Sequence, residues 1–175
     1  MKNLLIVVDF QKDFVDGALG FPEASSLDGG IVKRIAQHRK KGDQVVFTMD
    51  THYSSNYPYT QEGKWLPIPH CIEGTPGWEL YGETAQAKQP GDKVFTKNTF
   101  GSSQLFQYLY TMPPYGKIEL VGLVSSICVI SNAILAKSAQ PQAEIIVDSR
   151  LTAGSDQELH EAALKVMKGL QITVL

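Results

Sequence analysis

Six side chains in this sequence have types and spacings suited to shared chemistry: Asp9, Asp50, His52, His70, Lys97 and Cys128. A cysteine attacks as its thiolate, yet a free thiol with a pKa of about 8.5 is only a few per cent ionised at neutral pH. Cys128 lies in Gly122-Leu123-Val124-Ser125-Ser126-Ile127-Cys128, which joins an apolar run to a helical pattern, and either Ser125 or Ser126 suits the helix N-cap. Unpaired N–H groups and the dipole of a helix start favour the thiolate there. Lys97 would act in the same direction, and Asp9 could take the thiol proton, so the three together suit acyl transfer. Cys71 reads as a packed, unreactive thiol.

Asp50-Thr51-His52 sets two potential ligands two residues apart, which an extended backbone turns to one face. His70, in Leu66-Pro67-Ile68-Pro69-His70-Cys71, can supply a third ligand and Glu62 a fourth. Two histidines with a carboxylate suit a divalent metal, zinc first, with manganese or iron as alternatives. The other two histidines, His38 and His160, fall on predicted helices among charged residues and are expected at the surface.

These residues need a scaffold that brings them to one edge. Six short runs rich in Val, Ile, Leu and Phe read as strands: Leu4 to Val8, Gln44 to Met49, Lys93 to Phe95, Lys117 to Val121, Glu144 to Val147 and Gln171 to Val174. Continuous apolar runs indicate a sheet covered on both faces. Helical patterns fall at Gly30 to Lys40, Ser102 to Leu109, Ile127 to Ala139 and Asp156 to Lys168. In the last, Ser155 and Glu158 have capping-box spacing, Leu159, Ala163, Val166 and Leu170 form a stripe, and Gly169 can end the helix. Alternating strands and helices predict a three-layer α/β/α fold with a mainly parallel six-stranded sheet, formed by residues 1–175 as one domain. Ligands of such sheets bind beyond the carboxyl ends of the strands, where Asp9, Asp50, His52, Lys97 and the Cys128 turn fall. The segment Thr51 to Asp92, rich in Gly, Pro and Tyr, reads as an active-site loop with at most one short helix, near Trp78 to Ala85.

The 175 residues are 43% hydrophobic with a formal net charge of -2. No basic block or stripe points to nucleic acid or an anionic membrane, so a small-molecule partner is expected. The apolar run at the start stops at Asp9 and has no small-residue cleavage site, so it reads as a strand and not as a signal peptide. Two cysteines without Cys-x-x-Cys spacing suggest no disulfide framework and fit a reducing, cytoplasmic setting. Self-association into a homo-oligomer stays open.

Val7-Val8-Asp9-Phe10-Gln11-Lys12-Asp13-Phe14, Asp50-Thr51-His52, Pro69-His70-Cys71-Ile72-Glu73-Gly74-Thr75-Pro76-Gly77, Lys97 and Gly122 to Val129 together resemble nicotinamidases and pyrazinamidases of the isochorismatase-like cysteine hydrolase superfamily. The resemblance implies a catalytic triad of Asp9, Lys97 and Cys128, with Asp50, His52 and His70 holding the metal. It also implies a cis peptide before Val124, an oxyanion hole from the N–H groups of Val124 and Cys128, and Phe14 packed on the substrate ring. The expected reaction is hydrolysis of a carboxamide, nicotinamide first, through a thioester; a related hydrolase acting on another small amide is the alternative. A phosphoacceptor signalling domain would explain Asp9, Asp50 and Lys97 but leaves His52, His70 and Cys128 without a role. A non-haem iron oxygenase would use two histidines and a carboxylate as its facial triad, and absence of oxygen uptake would dispose of it.

Overall fold

The computed structural model describes all residues from Met1 to Leu175. In chain order the elements are β1 (Leu4–Val8), α1 (Lys12–Val15), α2 (Asp28–Lys40), β2 (Gln44–Asp50), α3 (Gln61–Trp65), α4 (Gly82–Ala87), β3 (Lys93–Lys97), α5 (Ser103–Thr111), β4 (Lys117–Leu123), α6 (Ile130–Ala139), β5 (Glu144–Ala153), α7 (Gln157–Gly169) and β6 (Thr173–Val174). A π-helical turn, Ser125–Val129, leads from β4 into α6.

All six strands pair in parallel, in the order β3-β2-β1-β4-β5-β6. The winding reverses between β1 and β4, and the crevice outside their carboxyl ends is where sheets of this kind bind ligands. Successive side chains of β1 serve opposite faces. Leu4, Ile6 and Val8 enter a core with Leu105 and Leu109 of α5, Ala133 and Ala136 of α6 and Met167 of α7. Leu5 and Val7 enter a second core with Ile31 and Ile35 of α2, Phe10, Phe14 and Leu80. The expected three-layer fold is thus observed. Gly122 (φ 114°) is required where β4 passes β1, because a Cβ there would lie 2.1 Å from the Val8 carbonyl oxygen. No helix is long and apolar enough to cross a membrane.

Several local expectations are corrected. β5 continues through Asp148-Ser149-Arg150, a polar stretch that ends the apolar run at Val147 in sequence but not the strand in space. Asp148 stays buried because Arg34 and Arg150 bond its carboxylate, at 2.7 and 2.8 Å. His38 is also buried, between Asp43 and Glu119 at 3.1 Å each, so its charged neighbours are its partners and not a sign of exposure.

Helix α7 is capped by Asp156, whose carboxylate accepts the Leu159 N–H at 2.9 Å, and not by Ser155. Its buried face carries Ala163 and Met167, with Leu164 packed beside them, while Leu159 and Val166 are 55% and 51% exposed. The stripe read from sequence is displaced around the helix because contact with the sheet edge, and not the count of apolar residues, sets its rotation. His160 shares the inward face through i, i+3 and i+4 spacing and is half-buried. Gly169 is the last helical residue, and the left-handed position that ends the helix is Gln171 (φ 61°). The segment from Thr51 to Asp92 is less irregular than expected: it holds α3, α4 and two single 3-10 turns, Tyr57–Tyr59 and Pro76–Trp78.

Candidate active site

Asp9, Lys97 and Cys128 come from the ends of β1, β3 and β4 and meet in the crevice at the reversal. Asp9 leaves β1 in the left-handed region (φ 44°), a conformation more tolerable for Asp than for most residues, and is fully buried. Its Oδ1 accepts a hydrogen bond from Thr48 Oγ1 at 2.6 Å, and its Oδ2 lies 2.6 Å from Lys97 Nζ. Lys97 also donates to Cys128 Sγ at 3.6 Å. One buried ammonium therefore faces a carboxylate and a thiol at once.

The electrostatics correct one expectation about the nucleophile. Burial, followed by the negative charge of Asp9, pushes the Cys128 thiol well above its ordinary range, and Lys97 opposes this only in part. Burial and Asp9 thus work against the thiolate that a helix start favours. Burial also raises Asp9, against the pull of Lys97, which makes the carboxylate a stronger base. Burial alone would lower Lys97, but the negative charge of Asp9, with that of Asp50, outweighs it and keeps the ammonium protonated. Neither Ser125 nor Ser126 caps the helix: the turn begins at Val124 without a side-chain cap, and the Ser125 hydroxyl is bonded elsewhere. The Leu123–Val124 peptide is cis, as the resemblance implied. The Val124 N–H, at the edge of the crevice, donates to no acceptor within the protein.

Asp50, His52, Glu62 and His70 gather beside this trio, with one ligand atom from each lying within 4.8 Å of the others. Asp50 Oδ2 is 3.0 Å from His52 Nε2 and 3.4 Å from His70 Nε2; Glu62 Oε1 is 3.9 and 3.5 Å from the same two nitrogens. Tetrahedral bonds to zinc of about 2.0–2.1 Å place donor atoms about 3.3 Å apart, so the four groups fit such an ion with little movement. Glu62, offered by α3, joins the set that sequence suggested. Burial would raise Asp50, but its bonds to His52 and His70 and the charge of Lys97 hold it below the usual carboxylate range.

Cys128 and three of the four cluster residues, Asp50, Glu62 and His70, border one cavity of about 310 Å³. Phe14, Leu19, Leu66, Phe100, Val124 and Ile127 line its apolar walls, Cys128 is at its floor, and Asp50, Glu62 and His70 lie on one side. The Phe14 ring is 5.6 Å from that of His70, centroid to centroid. The cavity suits a small, mostly apolar molecule that offers polar atoms to the few polar groups in its lining.

Sequence reasoning missed the residues that hold these groups. Gln11 clamps Asp50 by donating to its carbonyl at 2.8 Å and accepting its N–H at 2.7 Å. Asp13 accepts the Cys71 N–H at 2.7 Å, next to His70. Tyr57 Oη lies 3.3 Å from His70 Nδ1. Asn132 donates to the carbonyls of Cys128 at 2.8 Å and Phe100 at 3.1 Å, tying the Cys128 turn to the loop after β3. The available signal was polar side chains inside apolar patterns, as in Phe10-Gln11-Lys12-Asp13-Phe14, because a buried polar group needs partners.

A cysteine, a lysine and an aspartate converge where the winding of the doubly wound parallel sheet reverses, the place where α/β enzymes of this layout bind their ligands. A model of the isochorismatase domain matches residues 3–175, and the chain belongs to the isochorismatase family. An isochorismatase family protein, PncA, from Bacillus subtilis (strain 168) is 31% identical over 175 residues, spanning 94% of this chain and 93% of that one. Among solved structures, a pyrazinamidase of Pyrococcus horikoshii in complex with zinc superposes with a TM-score of 0.84 at 26% identity, over 100% of this chain and 99% of the other. A nicotinamidase PncA from Bacillus subtilis gives 0.82 at 28% identity, over 99% of both. The protein is an amidohydrolase of this family.

Proposed function

We propose that the protein hydrolyses a small aromatic carboxamide, nicotinamide first among them, to the acid and ammonia through a thioester on Cys128. The observation that carries this reading is the convergence of Asp9 and Lys97 with Cys128, which borders an apolar cavity together with Asp50, Glu62 and His70 of the four-residue cluster. The carboxamide carbon would lie over Sγ. Asp9 takes the thiol proton as sulfur attacks, and its raised basicity narrows the gap that the transfer must cross. The N–H groups of Val124 and Cys128 hold the oxyanion, an arrangement typically worth about 3–4 kcal/mol for a single donor. Asp9 then gives its proton to the departing ammonia. A water that loses a proton to the same carboxylate attacks the thioester carbon, and the proton passes to the leaving thiolate. Lys97 keeps the negative charge of this exchange tolerable in a buried site.

Phe14 packs against the substrate ring. A divalent ion held by Asp50, His52, His70 and Glu62 would supply a Lewis-acidic position for a ring nitrogen, which fixes the ring relative to Cys128. The zinc in the Pyrococcus pyrazinamidase supports zinc as that ion. Both cysteines are free, and a nucleophilic thiol suits a reducing cytoplasm. Ammonia release measured over nicotinamide, pyrazinamide, benzamide and aliphatic amides tests the proposal. Turnover should be highest for the ring-nitrogen carboxamides, and preference for an aliphatic amide would overturn the substrate assignment.

A further inference from the structure

We infer that His160 is a positioning residue for the oxyanion turn, acting through the hydroxyl of Ser125. The inference rests on the proposed role of the Val124 and Cys128 N–H groups. Ser125 stands between them in sequence, is fully buried, and lies in the turn that has no side-chain cap of its own. Its hydroxyl is 2.8 Å from His160 Nδ1, the one side chain it bonds.

The imidazole is a firm anchor. The N–H of His160 bonds the Asp156 carbonyl at 3.0 Å, inside the first turn of α7, which Asp156 itself caps. The loop before that helix presses on the same spot, since a Cβ added to Gly154 would lie 3.2 Å from Val124 Cγ1 and 3.3 Å from Ser125 Oγ. The turn is thus held on one side by β5 and α7 and on the other by Asn132, which bonds the Cys128 carbonyl. His160 does not line the cavity, so it reaches the reaction only through Ser125. Without the imidazole the buried hydroxyl has no partner and draws the turn toward a new one. A small rotation there moves the Val124 N–H from the oxyanion, a contact made most strongly in the transition state.

The test compares His160→Ala, His160→Asn, Ser125→Ala and the His160→Ala, Ser125→Ala double variant. Asn can place its amide oxygen near the site of Nδ1. His160→Ala should lower kcat for nicotinamide about tenfold or more, with KM within about twofold, because the lost contact belongs to the transition state. Alkylation of Cys128 by iodoacetamide, which develops no oxyanion, should keep its rate, and hydrogen exchange across Val124 to Cys128 should accelerate. His160→Asn should recover most of both losses, and the double variant should match the single ones, because the two residues act as one unit. Unchanged kcat in His160→Ala, parallel loss of alkylation and turnover, or additive effects in the double variant would each overturn the inference. If the wild type hydrolyses no carboxamide, the amidohydrolase reading fails instead, and unchanged exchange in His160→Ala would then overturn the anchoring role separately.

Discussion

Lys97 Nζ lies 3.6 Å from Asp50 Oδ1, so the cation beside Cys128 also touches the candidate metal-binding cluster. Sequence places the cluster and Cys128 on separate segments, yet in the fold they share one ammonium. Lys97 is 2.6 Å from Asp9 and 3.6 Å from Cys128, and these contacts make it the electrostatic centre of the site.

Replacing Lys97 with Met should therefore act on two titrations. Lys97 opposes the upward shifts of both Cys128 and Asp9, so its loss raises both further. The pH needed for iodoacetamide alkylation of Cys128 should increase. The acid limb of kcat/KM, set by Asp9 losing its charge as pH falls, should lie above the ordinary carboxylate range in the wild type and move higher in the variant. Turnover should drop by roughly 10²- to 10⁴-fold. Unmoved pH profiles would remove Lys97 from the chemistry.

Removal of the metal should divide binding from nucleophilicity. Chelated protein, or His52→Ala, should show a higher KM and a lower kcat for nicotinamide, because a rotated ring misplaces the carbonyl. Benzamide, which lacks the ring nitrogen, should be a poor substrate in both states. Cys128 should still be alkylated in the chelated protein. Nicotinamide hydrolysis equal to that of metal-loaded protein, with residual metal checked, would contradict the proposed role of the cluster.

Stability should depend on a group remote from the cavity. Arg34 bonds both Glu119 and Asp148 beneath α2, and its replacement by Ala leaves two carboxylates with less compensation in a buried place. Breaking such a pair costs about 3–5 kcal/mol, so the denaturation midpoint should fall clearly while kcat per folded molecule holds. Burial tends to raise Asp148, but its bonds and ion pairs with Arg150 and Arg34 hold it below its ordinary value. Its contribution is therefore complete above the ordinary carboxylate pKa and is lost as pH falls through the lowered one. Arg34→Ala should shrink that acid dependence, and an unchanged profile would place the stabilisation elsewhere.

The legible part of the molecule was what local pattern determines. Apolar runs mark all six strands, and the rule that ligands bind at strand ends collects Asp9, Asp50, His52, Lys97 and Cys128 from sequence alone. Resemblance added the cis peptide before Val124. What failed depends on contacts distant in sequence. Asp148 continues β5 because Arg34, 114 residues away, neutralises it. His160 turns inward because α7 is rotated by its contact with the sheet, and His38 is buried because Glu119 of β4 receives it. The thiol of Cys128 is raised because burial is a property of the whole fold, which a dipole at one helix end does not offset.

The two cysteines give a direct contrast. Cys71 is fully buried and does not line the cavity, whereas Cys128 borders it and receives a bond from Lys97. Cys71→Ala should keep most activity, whereas Cys128→Ala should lose on the order of 10⁴-fold or more in kcat without unfolding.

The thioester itself can be seen by mixing enzyme with nicotinamide, quenching in acid during turnover, and mapping peptides by mass spectrometry. The account predicts a nicotinoyl group on the peptide that contains Cys128, absent from the Cys128→Ala variant. A nicotinoyl group on Cys71, or sustained ammonia release by Cys128→Ala, would contradict it.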